Sequence, residues 1–593
     1  MVLTRNQFEV LRCYAGSAGA TQRAIVKNTG LSLGTVSATV GDLKQAGFID
    51  EDGSVTELGL TELGPYRVDN AVIMAAGLSS RFAPISYERP KGVLTVDGEV
   101  LIERQIRQLQ AAGIDDITVV VGYKKEEFFY LEDLLGVRIV VNPHYAERNN
   151  NSSIYLVKDR LSNTYICSSD DYFEENPFEP YVYDSYYAAV YMDGPTDEWC
   201  LKTKGRDKTI VGVEVGGSDS WVMLGHVYWS REFSQAFARL LERVYDDPAT
   251  APKLWEDIYA EHMAELPPLH MRTYRNGVIW EFDSLEDLRH FDPSFIDNVD
   301  SLILDNICGV LDCERSAIRD IVPIKKGMTN TSFRFEVDGK RYVYRHPGYG
   351  SDEITNRRAE ARFQEVARDL GLDSTFVHED PEKGWKISRY IEGARDLDYH
   401  DWDDVARAMK MIRRLHESGL DCGFVKDMHE DTLLQIKLLD ERRRTQFKDF
   451  GELLDLADSL NKDVMADGLA PVPCHNDFYD QNFLITDQGM DLIDWEFAGM
   501  SDYASDLAVF IACCPDYTYE DALKIYGLYF GRDLTERELF HCVAYTAVVS
   551  FHWFVWALYK DACGEPVGEF LYYYYRYTKL FGAKALELKG ESA

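Results

Sequence analysis

The chain has 593 residues, 46% of them hydrophobic and 13% aromatic, enough for more than one packed core and too many for a dominantly disordered state. A formal net charge of −37 excludes a protein that wraps nucleic acid over a broad surface, but not a locally positive pocket for small phosphorylated substrates. The eleven cysteines are scattered and form no CxxC pair, so neither a disulfide scaffold nor a thiolate zinc site is supported. With no signal-peptide core and no run of eighteen apolar residues, a cytoplasmic protein without membrane insertion is expected.

Residues 1–68 read as a small helical module. "TQRAIVKNTG" and "SLGTVSATVGDLKQAG" are two helical periods divided by Gly30, and "FIDEDGSVTELG" reads as a hairpin turning at Asp52-Gly53. The segment resembles the winged helix-turn-helix of MarR-type regulators, with the helix from Ser32 to about Ala46 in the recognition position. Six basic residues stand against seven acidic ones, and that helix offers Lys44 as its single base, a poor electrostatic footprint for DNA. Operator binding would need a homodimer that combines two such helices, and it stays open beside a regulatory or packing role. A chain lacking residues 1–68 is expected to keep its other activities.

Residues 69–292 alternate strands with helices, beginning with the buried strand "NAVIMAAG", which predicts an α/β, Rossmann-like layer fold with a mainly parallel sheet. "AAGLSSRFAPISYERPKG" exposes small residues after that strand, and no GxGxxG is present. Small residues let backbone N–H groups approach phosphate oxygens, and Arg81 and Lys91 add positive charge. The stretch resembles nucleotidyltransferases, and "NPHYAERNNNSSIYLVKDRLSNTYICSSDDYF", "TDEWCLK", "LWEDIY" and "WEFDSLEDL" resemble segments of the bacterial CTP:phosphocholine cytidylyltransferases. That resemblance implies that Ala75, Gly77, Ser79, Arg81 and Lys91 hold CTP, with Arg81 and Lys91 catalytic, and that Asp170 and Asp283 hold Mg²⁺. The family's Asp-x-Asp-Asn is here Ser168-Ser169-Asp170-Asp171, so one acid is missing and Asp171 replaces an amide. For the trimethylammonium of choline, Glu198, Trp199, Trp255 and Glu256 are the candidates, through carboxylate attraction and cation–π contact. Core packing stays open for the two tryptophans, and a solvated role for the two acids.

Residues 300–593 read as a small β-rich lobe followed by a larger helical one, a two-lobed α+β kinase-like fold. "TSFRFEVDGKRYVYRH" is a hairpin, and the Gly-containing turn in "KKGMTNTSF" precedes it. "PVPCHNDFYDQNFLITDQGMDLIDWEF" places His475, Asp477 and Asn482 before one short strand and Asp494 after the next. Asp477 at this spacing can act as base or orienting acceptor for a substrate hydroxyl, Asn482 and Asp494 can reach Mg²⁺ on ATP, and His475 can support the turn. Arg345 can reach the ATP phosphates with Glu360 holding it. These segments resemble the choline/ethanolamine kinases within the aminoglycoside-phosphotransferase-like fold. Trp553, Trp556 and Tyr574 match an aromatic segment of that family, and Glu496 can face a cation, which implies choline as substrate.

Together the two resemblances imply consecutive reactions. Choline and ATP give phosphocholine, and phosphocholine with CTP gives CDP-choline and pyrophosphate. Ethanolamine or a related amino alcohol is the alternative substrate, and a transcriptional regulator retaining enzyme-like sensor domains is the alternative of another class.

Overall fold

In the computed structural model, which describes residues 3–17, 19–324, 330–348, 356–439, 443–444, 446–564 and 567–590, the chain divides into the units Met1–Asp305 and Asn306–Ala593. Within them lie a winged helix, a Rossmann-like nucleotidyltransferase fold and a two-lobed kinase-like fold.

The winged helix is built from α1 (Arg5–Gly16), α2 (Gln22–Thr29), α3 (Leu33–Gln45) and α4 (Glu57–Leu63). Each starts at a hydroxyl: Thr4, Thr21, Ser32 and Thr56 accept N–H bonds from Gln7, Ala24, Thr35 and Gly59. Phe8, Leu11, Ile25, Val36 and Leu43 close its core. The expected hairpin shrinks to one bridge, Ile49 with Val55, because Thr56 caps α4 directly after it. Gly59 has no alternative, since a Cβ there would sit 2.2 Å from the Phe48 carbonyl oxygen.

The rest of the first unit surrounds a seven-stranded sheet. Its strands are β1 (Asn70–Ala75), β4 (Ile117–Val121), β5 (Arg138–Val141), β6 (Thr164–Ser168), β8 (Tyr186–Lys204), β9 (Thr209–Trp229) and β10 (His270–Tyr274). Two small pairs, β2 (Thr95–Val96) with β3 (Glu99–Val100) and β7 (Asp171–Phe173) with β11 (Ile279–Glu281), complete the strands. The order β10-β8-β9-β6-β1-β4-β5 keeps β6, β1, β4 and β5 parallel, with β9 antiparallel to β6 and β8. Alternation along β1 sends Ala71, Ile73 and Ala75 into one core with Ile102, Ile106 and Leu109, and Val72 into the other with Phe233, Phe237 and Trp255. The helices Leu101–Ala111 and Arg231–Val244 thereby cover opposite faces. The long ribbon of β8 and β9 was not anticipated. Its register shifts repeatedly between Tyr187 and Thr203, so the period-2 pattern that marks a strand is broken.

In the second unit, β12 (Arg319–Ile324), β13 (Asn330–Val337), β14 (Lys340–Pro347), β15 (Phe376–Glu379) and β16 (Lys386–Arg389) form an antiparallel sheet of order β12-β13-β14-β16-β15. The helix Arg357–Asp369 accompanies it. Most of the expected Gly-containing turn, residues 325–329, lies outside the described residues. The larger lobe is helical, and in its core the helix Ala504–Cys513 is buried along its whole length. Four short strands, β17 (Val472–Cys474), β18 (Phe483–Ile485), β19 (Met490–Leu492) and β20 (Gly499–Ser501), pair as β17 with β20 and β18 with β19 around the polar loops. Among the described residues one helix, Glu536–Ala562, is long and apolar enough to cross a membrane; 89% of its apolar window is buried in the protein.

Candidate active sites

A cleft of about 750 Å³ opens where β1 ends, lined by the loop from Ala75 to Arg81, by Pro90–Gly92, by Ser168–Asp170 and by Glu281 and Asp283. Ser79 takes the left-handed backbone conformation (φ 52°), which turns the loop across the strand end. Gly92 lets this segment meet Ser169, since a Cβ there would come within 2.9 Å of the Ser169 Cβ. The Lys91 ammonium pairs with Asp170, donates to the Phe282 carbonyl and lies 3.9 Å from Asp283. Burial opposes its charge, but Asp170, Asp283 and Glu281 together hold its pKa above the ordinary lysine value. Arg81, exposed at the rim, reaches Asp283 at 3.0 Å.

Antiparallel pairing of β7 with β11 sets Glu281 opposite Asp171, and oxygens of Asp170, Glu281 and Asp283 lie within 4.8 Å of one another. Three carboxylates facing a cleft form an oxygen donor set that suits a hard divalent cation such as Mg²⁺. Sequence reasoning missed Glu281. The signal was present in "EFD", where strand alternation buries Phe282 and turns the acids on either side to one face. Loss of solvent around Glu281, then Asp171 and Asp170, pushes its carboxyl well above the usual range; Asp171 is raised well above by burial and then by Asp170.

Farther along the cleft lie Tyr187, Glu198, Trp199 and Glu256. The Glu256 carboxylate accepts from Asn150 Nδ2 at 3.2 Å and from the Tyr187 hydroxyl at 3.4 Å, and burial pushes its pKa up to about 7. Glu198 is raised too, by burial and then by Asp283. Trp255 departs from its expected place beside them. It is 1% exposed and packed against Trp229, Phe237 and the ring of Tyr187, because adjacent positions at a helix start face different ways: Trp255 toward the sheet, Glu256 toward the cleft. Tyr187 and Asn150, which the sequence did not single out, stand where Trp255 was expected.

In the kinase-like fold the loop between β17 and β18 is held from behind. Asp506 accepts from the backbone N–H of His475 at 3.0 Å and of Asn476 at 2.6 Å, and its Oδ2 is 2.9 Å from His416 Nε2. His475 donates through Nε2 to the Ile493 carbonyl at 3.0 Å and accepts from the Asp477 N–H at 3.3 Å, which fixes its neutral tautomer; burial lowers its pKa. Asn482 Nδ2 donates to the Asp477 carboxylate at 2.9 Å. Asp477 is raised well above the usual range by burial and then by Asp494. His475 therefore braces the turn, while Asn482 bonds Asp477 and Asp494 lies near enough to act on its charge.

Arg345 on β14 is buried, paired through Nη2 with Glu360 and through Nη1 with Asp494 at 3.0 Å. It reaches the carboxylate expected to hold metal as well as the one expected to hold it in place. Lys386, its neighbour across β14 and β16, was missed and adds a second buried cation 3.5 Å from Glu360. Glu496 accepts from Asn330 Nδ2 at 3.2 Å. Trp553 packs against Phe497, Trp556 and Tyr574 with centroids 5.8, 5.2 and 6.2 Å away, and the Tyr574 hydroxyl meets Cys513 Sγ at 3.6 Å. The three aromatic candidates are buried side by side, with Tyr574 close enough to feel the charge of Asp477.

The one base of the recognition-position helix is already paired with an acid of the wing. Lys44, the one base of α3, is bound by the Glu51 carboxylate and carbonyl at 2.9 Å each, and Asp50, Glu51 and Asp52 make the wing acidic.

Comparison with known proteins matches residues 3–50 to a winged helix-turn-helix DNA-binding family, 71–168 to the MobA-like NTP transferase domain and 320–540 to the phosphotransferase enzyme family. A choline-phosphate cytidylyltransferase of Streptococcus pneumoniae is 33% identical over 219 residues, 37% of this chain and 95% of the relative. A 2-aminoethylphosphonate cytidylyltransferase of Lancefieldella rimae is 37% identical over 231 residues, 38% of this chain and 93% of the relative. Protein LicA of Haemophilus influenzae is 24% identical over 259 residues, 41% of this chain and 94% of the relative. Two catalytic domain families therefore stand in one chain behind a winged helix.

Proposed function

Because the chain belongs, through its middle segment, to the NTP-transferase family that includes the choline-phosphate and 2-aminoethylphosphonate cytidylyltransferases, we propose that it makes a CDP-linked amino alcohol in two steps, with choline as the substrate. The phosphotransferase domain would phosphorylate choline with ATP, and the middle domain would transfer CMP from CTP to phosphocholine, releasing pyrophosphate. The domain limits of 1–68, 69–292 and 300–593 belong to this proposal.

The observation that carries the reading is the two-ended cleft. One end gathers Arg81, Lys91 and three carboxylates, and the other sets Tyr187 and Trp199 beside Glu198 and Glu256. A substrate with an anionic phosphate and a cationic headgroup matches both ends at once. Asp170, Glu281 and Asp283 would hold Mg²⁺ here, and Asn482 and Asp494 in the kinase; the ion supplies charge neutralisation on the transferring phosphate. Ala75, Gly77 and Ser79 would place backbone against the CTP phosphates, with Arg81 and Lys91 countering their charge. The phosphocholine oxygen attacks the α-phosphorus in line, with no covalent enzyme intermediate. In the kinase, Asp477 orients the choline hydroxyl and accepts its proton as the γ-phosphoryl group moves, while Glu496, Trp553, Trp556 and Tyr574 take the cation.

The phosphotransferase domain also weighs on which headgroup is used. A phosphonate carries its phosphorus on carbon and needs no kinase, whereas a phosphate monoester is what a kinase makes from an alcohol. Ethanolamine is the second reading, favoured by the hydrogen-bonding set at Glu256, which suits an N–H donor. One incubation with ATP, CTP, Mg²⁺ and either choline or ethanolamine, followed by mass identification of the product, tests both. CDP-choline as the preferred product supports the proposal; CDP-ethanolamine favours the second reading, and neither product sinks the two-step scheme.

A further inference from the structure

Glu179 stands where the winged helix meets the nucleotidyltransferase fold. Its Oε1 accepts from Arg12 Nη1 of α1 at 2.8 Å and its Oε2 from Arg272 Nη2 of β10 at 2.7 Å. The Arg12 side chain is 23% exposed and that of Glu179 is 26%. This differs from the rim pair Arg5–Asp184, where Arg5 is 57% exposed. Burial opposes the Glu179 charge, yet Arg272 and then Arg12 hold its carboxyl below the usual range. Around this ion triad the Phe8, Tyr66 and Tyr183 rings lie about 5 Å apart, and the Tyr183 hydroxyl donates to the Leu3 carbonyl at 2.9 Å.

From Arg272 the packing runs inward without a gap. The guanidinium lies over the rings of Tyr186 and Tyr274, 4.7 and 5.9 Å from their centroids. Both hydroxyls meet His226 Nε2, at 2.9 and 3.4 Å. His226 is fully buried, and its ring lies 5.4 Å from that of Phe173. Phe173 stands opposite Ile279 in the β7–β11 pair, whose other end sets Asp171 against Glu281. Gly225, beside His226, leaves no slack there, since a Cβ would come 2.9 Å from Ile279.

We propose that the winged helix is a fixed component of the nucleotidyltransferase and that Arg12 is a positioning residue for its carboxylate cluster. By holding Glu179, Arg12 fixes Arg272, and through Tyr186, Tyr274, His226 and Phe173 it fixes the β7–β11 pair, which carries Glu281 and is flanked by Asp170 and Asp283. This revises the expectation that residues 1–68 can be removed without cost. The inference rests on the proposed nucleotidyl transfer for its kinetic readout, and not for its structural one.

The test uses the full-length chain with Arg12→Ala, Arg12→Lys and, as control for a rim contact, Arg5→Ala. Amide hydrogen exchange is followed over residues 171–173 and 279–281, and the Mg²⁺ concentration for half-maximal CDP-choline formation is measured. Choline phosphorylation reports the integrity of the rest of the chain. Arg12→Ala is expected to speed exchange in both segments and to raise the Mg²⁺ requirement by about 2- to 30-fold, the range seen for coupled packing networks. Arg12→Lys should fall between it and the wild type, and Arg5→Ala should change neither readout. Exchange changes confined to residues 3–68 and 178–184, or an equal effect from Arg5→Ala, would overturn the proposal. If the wild type made no CDP product, the functional reading would fail while the exchange result still decided this one.

Discussion

Replacing Asp506 by alanine should disable the kinase by loosening its catalytic turn, although Asp506 is placed to touch no substrate. The carboxylate takes two backbone N–H donors, from His475 and Asn476, and a third interaction from His416, whose other nitrogen meets the Tyr529 hydroxyl at 2.8 Å. His475, Asn476, His416 and Asp506 are all buried, so water does not replace the lost acceptor. Each orphaned donor costs roughly 1–3 kcal/mol, and the three together about 3–9 kcal/mol. At about 2–4 °C per kcal/mol for a large domain, the thermal transition of the second unit should fall by on the order of 10 °C. Asp506→Asn should not rescue it, because the amide keeps one acceptor and turns a donor toward donors. The assay pairs differential scanning calorimetry with choline phosphorylation, and CDP-choline formation from supplied phosphocholine serves as internal control. A shift under about 2 °C, the size of an ordinary surface substitution, with kinase turnover unchanged, would refute the reasoning.

Asp477→Ala should lower phosphocholine formation by about 10²–10⁴-fold while sparing CMP transfer, read by steady-state turnover of each half-reaction. Asn482→Ala and Asp494→Ala should damage the same step. Asp170→Ala, Asp283→Ala and Glu281→Gln should abolish pyrophosphate release from CTP with phosphocholine and leave choline phosphorylation intact; normal release from the Glu281 variant would remove that residue from the metal set. Glu256, with its pKa raised to about 7, is protonated in the free cleft below that pH and ionised above it, so phosphocholine KM should improve as pH rises from 6 to 8, and Glu256→Gln should flatten the profile. The same raised pKa favours the folded state at low pH, so Glu256's contribution to stability falls as pH rises from its unfolded value near 4.5 through 7. Trp255→Ala should destabilise the first unit by about 3–5 kcal/mol as a core cavity, whereas Trp199→Ala should raise phosphocholine KM without lowering the melting temperature.

The polar loops were legible because their chemistry is written in short spacings. The span from His475 to Asn482 fits one turn before a strand, and the small residues after β1 lie on one loop, so sequence neighbours are spatial neighbours. Asp506 was not legible for the opposite reason: it acts 30 residues downstream and reads in "ASDLAVF" as an ordinary acid near a helix start. The β8–β9 ribbon was hidden by its own Gly, Pro and Asp residues, which read as turns but lie in bulged strand. Trp255 and Glu256 show the finest limit. A motif identifies the pair, but only the angle of the first helical turn decides which side chain lines the cleft.

Each site keeps its cations on its own acids: Lys91 on Asp170, Arg81 on Asp283 and Arg345 on Asp494. Each of these three acids thus has a cationic partner of its own site before any ligand arrives. A nucleotide arriving alone would draw the arginine or lysine away and strand a carboxylate, and a cation arriving alone would strand the base; for the mostly buried Lys91–Asp170 pair such one-sided breaking costs about 3–5 kcal/mol. Nucleotide and divalent ion together satisfy both halves at once. Their affinities are therefore linked, each tightening the other, and by reciprocity the same factor applies in both directions. Such sites discriminate against free nucleotide without any residue dedicated to rejecting it.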